Sequence, residues 1–95
     1  MPKILIFKFL QFYFYTQDLT ERGHLHIVNN KSYSGAAKIW FEAGVEIFSQ
    51  GSLTDIQLAQ ALRVIESELP FIELQWQRFR RQEKLKLKTI IKIKK

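Results

Sequence analysis

At 95 residues the chain has room for one domain with one core, and a chain this short buries a smaller share of its surface than larger domains do, so a partner chain would add to its stability. A composition of 46% hydrophobic and 25% charged residues, with two prolines and four glycines, is that of a folded globular domain and excludes disorder. The absence of cysteine excludes disulfides and cysteine metal ligands, and no run approaches the roughly 18 to 20 apolar residues of a membrane-spanning helix, so the cytoplasm is the default compartment.

The net charge of +6 is unevenly placed: residues 78–95 carry nine Lys or Arg against one Glu, whereas residues 1–77 carry six against eight acids. Such asymmetry marks contact with nucleic acid, an anionic membrane or an acidic partner chain. The first 15 residues are apolar, but Lys8 and Gln11 interrupt the run, and Asp18 and Glu21 follow where a secretory signal would place a small-residue cleavage site. That argues against a signal peptide.

Ile4 to Phe9 and Phe12 to Tyr15 are dense in β-branched and aromatic residues and predict two strands joined by a short link over Lys8 to Gln11. Thr16 to Gly23 has the chemistry of a polar connection, and His24 to Val28 resumes the strand pattern. The cluster Asn29 to Ser32 predicts a turn. Beyond Tyr33 to Gly35 comes a strand over Ala36 to Phe41, in which Ala37, Ile39 and Phe41 alternate with Lys38 and Trp40. Glu42 to Gly44 is the next turn and Val45 to Phe48 the next strand, with Ser49 to Gly51 closing the sheet.

From Ser52 the period changes. Thr54 and Gln57 have the spacing of a capping box, and Leu58, Leu62, Ile65 and Leu69 recur at i, i+4, i+7 and i+11, which predicts an amphipathic helix. Pro70 ends it and can open a second helix, where its missing N–H costs nothing; Ile72, Trp76 and Phe79 then form one stripe on a helix running to about Gln82. From Lys84 the chain alternates lysine with Leu85, Leu87, Thr89, Ile91 and Ile93, a strand period. One reading is a sheet edge protected by its lysines; the other is an electrostatic arm. The predicted fold is α+β, with a small antiparallel sheet of four to five strands packed against two C-terminal helices. Residues 1–82 form the domain, and 83–95 a lysine-rich tail or edge strand.

His24 and His26 are two apart in a strand, so both side chains emerge on one face. Imidazole titrates nearest neutrality of all side chains, so the pair suits acid–base work on a phosphodiester, with Arg22, Lys31 or Lys38, or Arg78, Arg80 or Arg81 folded back, as the cation that stabilises developing charge. A metal site would need a third ligand, and Asp18, Glu21, Glu42 and Glu46 stand at no recognisable ligand spacing. The bland reading is equally open: histidines on a half-exposed strand that bond backbone or a partner chain. No Ser-His-Asp spacing, nucleotide-binding glycine loop, Walker sequence or zinc-protease helix appears, so no cofactor is called for. Arg78, Arg80, Arg81, Lys84, Lys86 and Lys88 are the candidates for gripping nucleic acid or a partner. Tyr13, Tyr15, Tyr33 and Trp40 are candidate stacking faces for single-stranded bases.

Read together, Met1-Pro2-Lys3-Ile4, Phe12 to Tyr15, His24-Leu25-His26-Ile27 and Ala37 to Trp40 resemble a family of short bacterial proteins labelled as a domain of unknown function, whose genes often sit beside a second small protein in predicted toxin-antitoxin pairs. The resemblance covers about residues 1–80 and continues through Val45-Glu46-Ile47, Gly51, a helix over Leu53 to Glu68, and Ile72 with Trp76. It departs where family members place two prolines before the first histidine, since this chain has Arg22-Gly23. The resemblance implies a toxin-like component of a type II module with a cognate antitoxin-like partner, and the paired histidines as its first functional positions. The residues then offer two functions. One is a metal-independent ribonuclease with His24 and His26 at the site; the other is a non-catalytic module that binds a partner protein or nucleic acid through the basic tail, with oligomerisation open in either case.

Overall fold

The computed structural model describes residues 2–15, 21–29 and 35–92. The expected polar connection over 16–20 with Asp18, the turn residues 30–32 with Lys31, Tyr33, and the tail beyond Lys92 with Ile93 lie outside the described residues. The fold is α+β: strands β1 (Lys3–Phe7), β2 (Leu10–Tyr13), β3 (His24–Asn29), β4 (Ala37–Trp40) and β5 (Glu46–Ser49), helices α1 (Asp55–Ser67) and α2 (Leu69–Arg80), and a last strand β6 (Lys88–Ile90). The sheet order is β5-β4-β3-β2-β1-β6. The first five strands form the expected antiparallel meander.

Two features differ from the sequence reading. The sheet has six strands and is mixed, because β6 pairs parallel with β1 in the register Leu5↔Lys88, Ile6↔Thr89 and Phe7↔Ile90. A three-residue strand that meets its partner across the whole chain leaves no local signal of that pairing. The β1–β2 connection is also shorter than expected, a two-residue turn at Lys8 and Phe9 between the paired Phe7 and Leu10. Lys8 takes a left-handed φ of 54°, which tight hairpin turns require and which glycine or asparagine usually announces.

One face of the sheet meets the helices. Leu10, Phe12 and Phe14 from the β2 stretch, Leu25 and Ile27 from β3, and Ala37, Ile39 and Phe41 from the β4 stretch are buried in one core with Ala61, Val64 and Ile65 of α1 and Ile72 and Trp76 of α2. The capping box forms as its spacing predicts, with Gln57 N–H donating to Thr54 Oγ1 at 3.1 Å and Thr54 N–H donating to Gln57 Oε1 at 3.0 Å. Asn29 Nδ2 also donates to Gln57 Oε1 at 3.2 Å, tying the start of α1 to the end of β3.

The two helices meet at Glu68, which ends one and opens the other. Helix α2 starts at Leu69, so Pro70 stands second in it, still among the positions whose N–H has no partner within the helix. Its end is a Schellman turn: Gln82 at φ 59° donates to Phe79 O, and Glu83 N–H reaches back to Arg78 O at 2.8 Å. The chain then crosses the helices toward the β1 edge, held by two polar groups. Gln75, 1% exposed on α2, accepts Lys86 N–H at 2.8 Å. Glu68, 8% exposed, pairs with Lys88 Nζ at 2.5 Å, and that ammonium also lies 5.5 Å from the Phe71 ring. Residues 84–90 are therefore a latched strap.

Replacing Gln75 by Leu keeps the volume but leaves the Lys86 amide without its acceptor, at a cost of about 1–3 kcal/mol. Chemical denaturation should report that loss, and hydrogen exchange should show faster exchange at Lys86 and along β6. Unchanged protection there would show that Gln75 does not hold the strap.

Candidate functional site

The face of the sheet turned away from the helices carries the residues with catalytic potential. Alternation sends Tyr13 and Tyr15, His24 and His26, and Lys38 and Trp40 to this side, and the registers Tyr13↔His26, His26↔Lys38 and His24↔Trp40 set them shoulder to shoulder. The rings form a continuous band. Tyr15 lies 3.9 Å from His26, His26 5.1 Å from His24, His24 5.1 Å from Trp40, and Trp40 5.8 Å from Phe48 of β5, all centroid to centroid. The structure thus brings His24, His26 and Lys38 together, as the two-residue spacing and the strand pairing require.

Their environment is closed. His24 is 1% and His26 8% exposed, and Tyr13 beside them is buried as well, so the half-exposed strand expected from sequence is a covered one. His24 Nδ1 lies 2.7 Å from Arg22 O; a carbonyl accepts, so Nδ1 carries the proton and donates. That fixes the ring and turns Nε2 toward Glu21, whose Oε2 stands 3.8 Å away and also takes Lys38 Nζ at 3.2 Å. The Lys38 ammonium sits over two rings, 4.7 Å from Trp40 and 4.8 Å from Phe48.

Arg22 does different work from that expected of a charge-stabilising cation. Its Nε donates to Glu42 O at 2.5 Å, one terminal nitrogen donates to Glu46 Oε1 at 2.6 Å, and the other to Gly44 O at 2.9 Å. The guanidinium ties together the β4–β5 turn, where Ala43 and Gly44 both have positive φ. Gly23 completes the arrangement: its N–H donates to Glu42 Oε1 at 2.8 Å and its carbonyl accepts Phe41 N–H at 3.0 Å. A Cβ at Gly23 would stand 2.9 Å from the Phe41 ring and 3.1 Å from Trp76 Nε1. The pair Arg22-Gly23 is therefore fitted to this turn, since a proline would lack the N–H and have no room for its ring.

The basic residues form a separate surface. Arg80 and Arg81 are exposed at the C-terminal end of α2, Arg78 is half-buried, and Lys84, Lys86 and Lys88 are exposed along the strap. Lys88 is paired with Glu68; among the described residues the other five have no carboxylate partner. Gln77, Arg80 and Arg81 line a hollow of about 320 Å³. A second hollow of about 250 Å³, between α2 and the end of β4, is lined by Phe41, Glu42, Glu73, Trp76, Gln77 and Arg80. The sequence reading did not single out Glu73 and Gln77, although with Arg80 they recur at i, i+4 and i+7 and so mark one polar stripe on α2.

Among the described residues no group of three or more His, Asp or Glu converges as a metal-binding set, and no helix is long and apolar enough to cross a membrane. No family model, curated protein or solved structure matches this chain.

Alanine at Gly23 should destabilise the fold by about 1–3 kcal/mol, the range for forcing a methyl group into a filled space. A thermal melt measures the loss, and a change in tryptophan emission would place it at Trp76. A variant as stable as the parent would mean that Phe41 and Trp76 yield freely.

Proposed function

We propose that this protein acts by binding RNA through its basic end, as the toxin-like component of a bacterial two-protein module, and that it does not cut RNA at its histidines. One contrast carries the reading: Arg80, Arg81, Lys84 and Lys86 are exposed and unpaired among the described residues, whereas His24 and His26 are buried. Cations without protein partners are those that bind phosphates by releasing counterions. The latching of residues 84–90 supports the same reading, because charges held in fixed positions lose less entropy on binding than charges on a loose arm.

The toxin-like role rests on the family resemblance. Within it, the cognate antitoxin-like protein is an acidic chain that covers the same arginines and lysines and so competes with RNA. The ribonuclease reading has one observation in its favour, that His24, His26 and Lys38 share one cluster with His24 Nε2 facing Glu21. The cytoplasm is the compartment in which both targets meet the chain.

Binding to a labelled single-stranded RNA oligonucleotide, followed by fluorescence anisotropy, decides between them. Four phosphate contacts should make log Kd rise with log salt at a slope of about 3, since each contact on a single strand contributes about 0.7. Replacing Arg80, Arg81, Lys84 and Lys86 by Ala should weaken binding at least tenfold and flatten that slope. Asn at His24 and His26, in protein confirmed as folded, should leave affinity and RNA length unchanged. RNA shortening that disappears with the histidines would overturn the binding reading in favour of the nuclease.

A further inference from the structure

We propose that the cleft between α2 and the end of β4 is a subsite for one guanine nucleotide, with the base against Glu73 and Glu42 and its phosphate on Arg80 and Arg81. This rests on the reading that the basic end binds RNA, and it adds which base that surface selects. The two hollows described above share Gln77 and Arg80, so they adjoin. Each alone is at or below the lower end of the roughly 300–1,000 Å³ of small-molecule sites. Taken as one trough, they set the carboxylates Glu42 and Glu73 at one end and Arg81 at the other, with Arg80 bordering both.

The polarity of the trough follows from helix spacing. Glu73 and Arg80 are seven residues apart on one face of α2, about 10 Å along its axis, the order of separation between the edge of a base and its own phosphate. Neither has an ion-pair partner among the described residues. On the β4 side, Glu42 Oε1 accepts Gly23 N–H, and among the described residues its other carboxylate oxygen accepts no hydrogen bond. Trp76 lines the same hollow with its ring, while its buried Nε1, which has no hydrogen-bond partner among the described residues, lies on the Gly23 side. An unpaired carboxylate, a guanidinium and the Gln77 amide thus border one cleft, with Phe41 and Trp76 beneath them.

Guanine is the base this set selects. A carboxylate accepts two parallel hydrogen bonds, and guanine presents two adjacent donors, N1–H and the N2 amino group, on its Watson–Crick edge. Adenine and cytosine each set an unprotonated ring nitrogen beside their amino group, which would face the carboxylate lone pairs, and uracil flanks its single donor with two carbonyls. Arg80 and Arg81 supply fork-shaped donors for the phosphate. Reading of an unstacked base by its Watson–Crick edge is how single-stranded RNA is usually recognised.

The test titrates the full chain with GMP, AMP, CMP, UMP and inorganic phosphate while following the two indole N–H resonances by NMR. GMP should bind at least tenfold more tightly than the other four probes and shift the Trp76 resonance, assigned with a Trp40→Phe variant. Glu73→Gln, at an exposed position, should bring the four nucleotides to equal affinity while leaving phosphate binding intact. Equal affinities in the parent protein, or phosphate binding as tightly as GMP, would overturn the subsite. The RNA oligonucleotide assay separates this from the wider reading. RNA binding without guanine preference sinks the subsite and spares the binding reading, and GMP binding without RNA binding does the reverse.

Discussion

The Trp76 side chain is the joint on which both faces of the molecule depend. Its ring packs edge-on against Phe14 at 5.0 Å and Phe41 at 5.9 Å, and tilted against Phe79 at 5.8 Å, so β2, β4 and α2 share one aromatic cluster. Removing a tryptophan buried in this way costs about 3–5 kcal/mol. The same indole reaches Gly23 at the entry to β3, where a Cβ would crowd it at 3.1 Å, and stands 6.1 Å from His24. The entry to β3 is thus set by contact with the helix layer. Because Gly23 must stay bare, the chain meets Phe41 closely enough for its N–H to bind Glu42 and for Arg22 to span the β4–β5 turn.

This arrangement explains why residues suited to catalysis sit where they do. The band of Tyr15, His26, His24, Trp40 and Phe48 crosses four strands, and each histidine ring packs against aromatic neighbours. Where such a sheet also buries part of its second face, rings that carry one polar atom serve there, because that atom can bond backbone while the ring excludes water. His24 does this through Arg22 O. Glu21 and Lys38 close the rim of the band, and the Lys38 ammonium over two rings combines charge pairing with cation–π contact.

Much of this was legible in the sequence, for identifiable reasons. The meander followed from period-two alternation, whose partners are neighbours in the chain. The capping box was visible because Thr54 and Gln57 each bond the other's backbone at a spacing the sequence shows, whereas the bond from Asn29 to Gln57 is long-range and was not. Placement of His24 and His26 on one face followed from the same alternation, whereas bringing Lys38 to that face took the β3–β4 register His26↔Lys38. What alternation cannot show is depth: it assigns a side to each residue but says nothing of what covers that side, so the burial of the histidines was missed. The work of Arg22 was hidden similarly, since its acceptors are carbonyls at Glu42 and Gly44, positions whose sequence reads only as a turn.

The strap shows the same limit from the other direction. Its lysine alternation reads as strand-like, yet among the described residues the regular pairing covers Lys88 to Ile90 alone. The preceding stretch is held by Gln75 and Glu68, polar residues that a helical wheel would place among exceptions on the buried side. A buried polar group on an amphipathic helix is costly unless bonded, and here both partners come from the segment that follows the helices. Two such groups of different chemistry, an amide accepting a backbone N–H and a carboxylate accepting an ammonium, fix both the path and the register of the strap. The basic surface is consequently part of the fold, and its shape is set by the same helices that form the core.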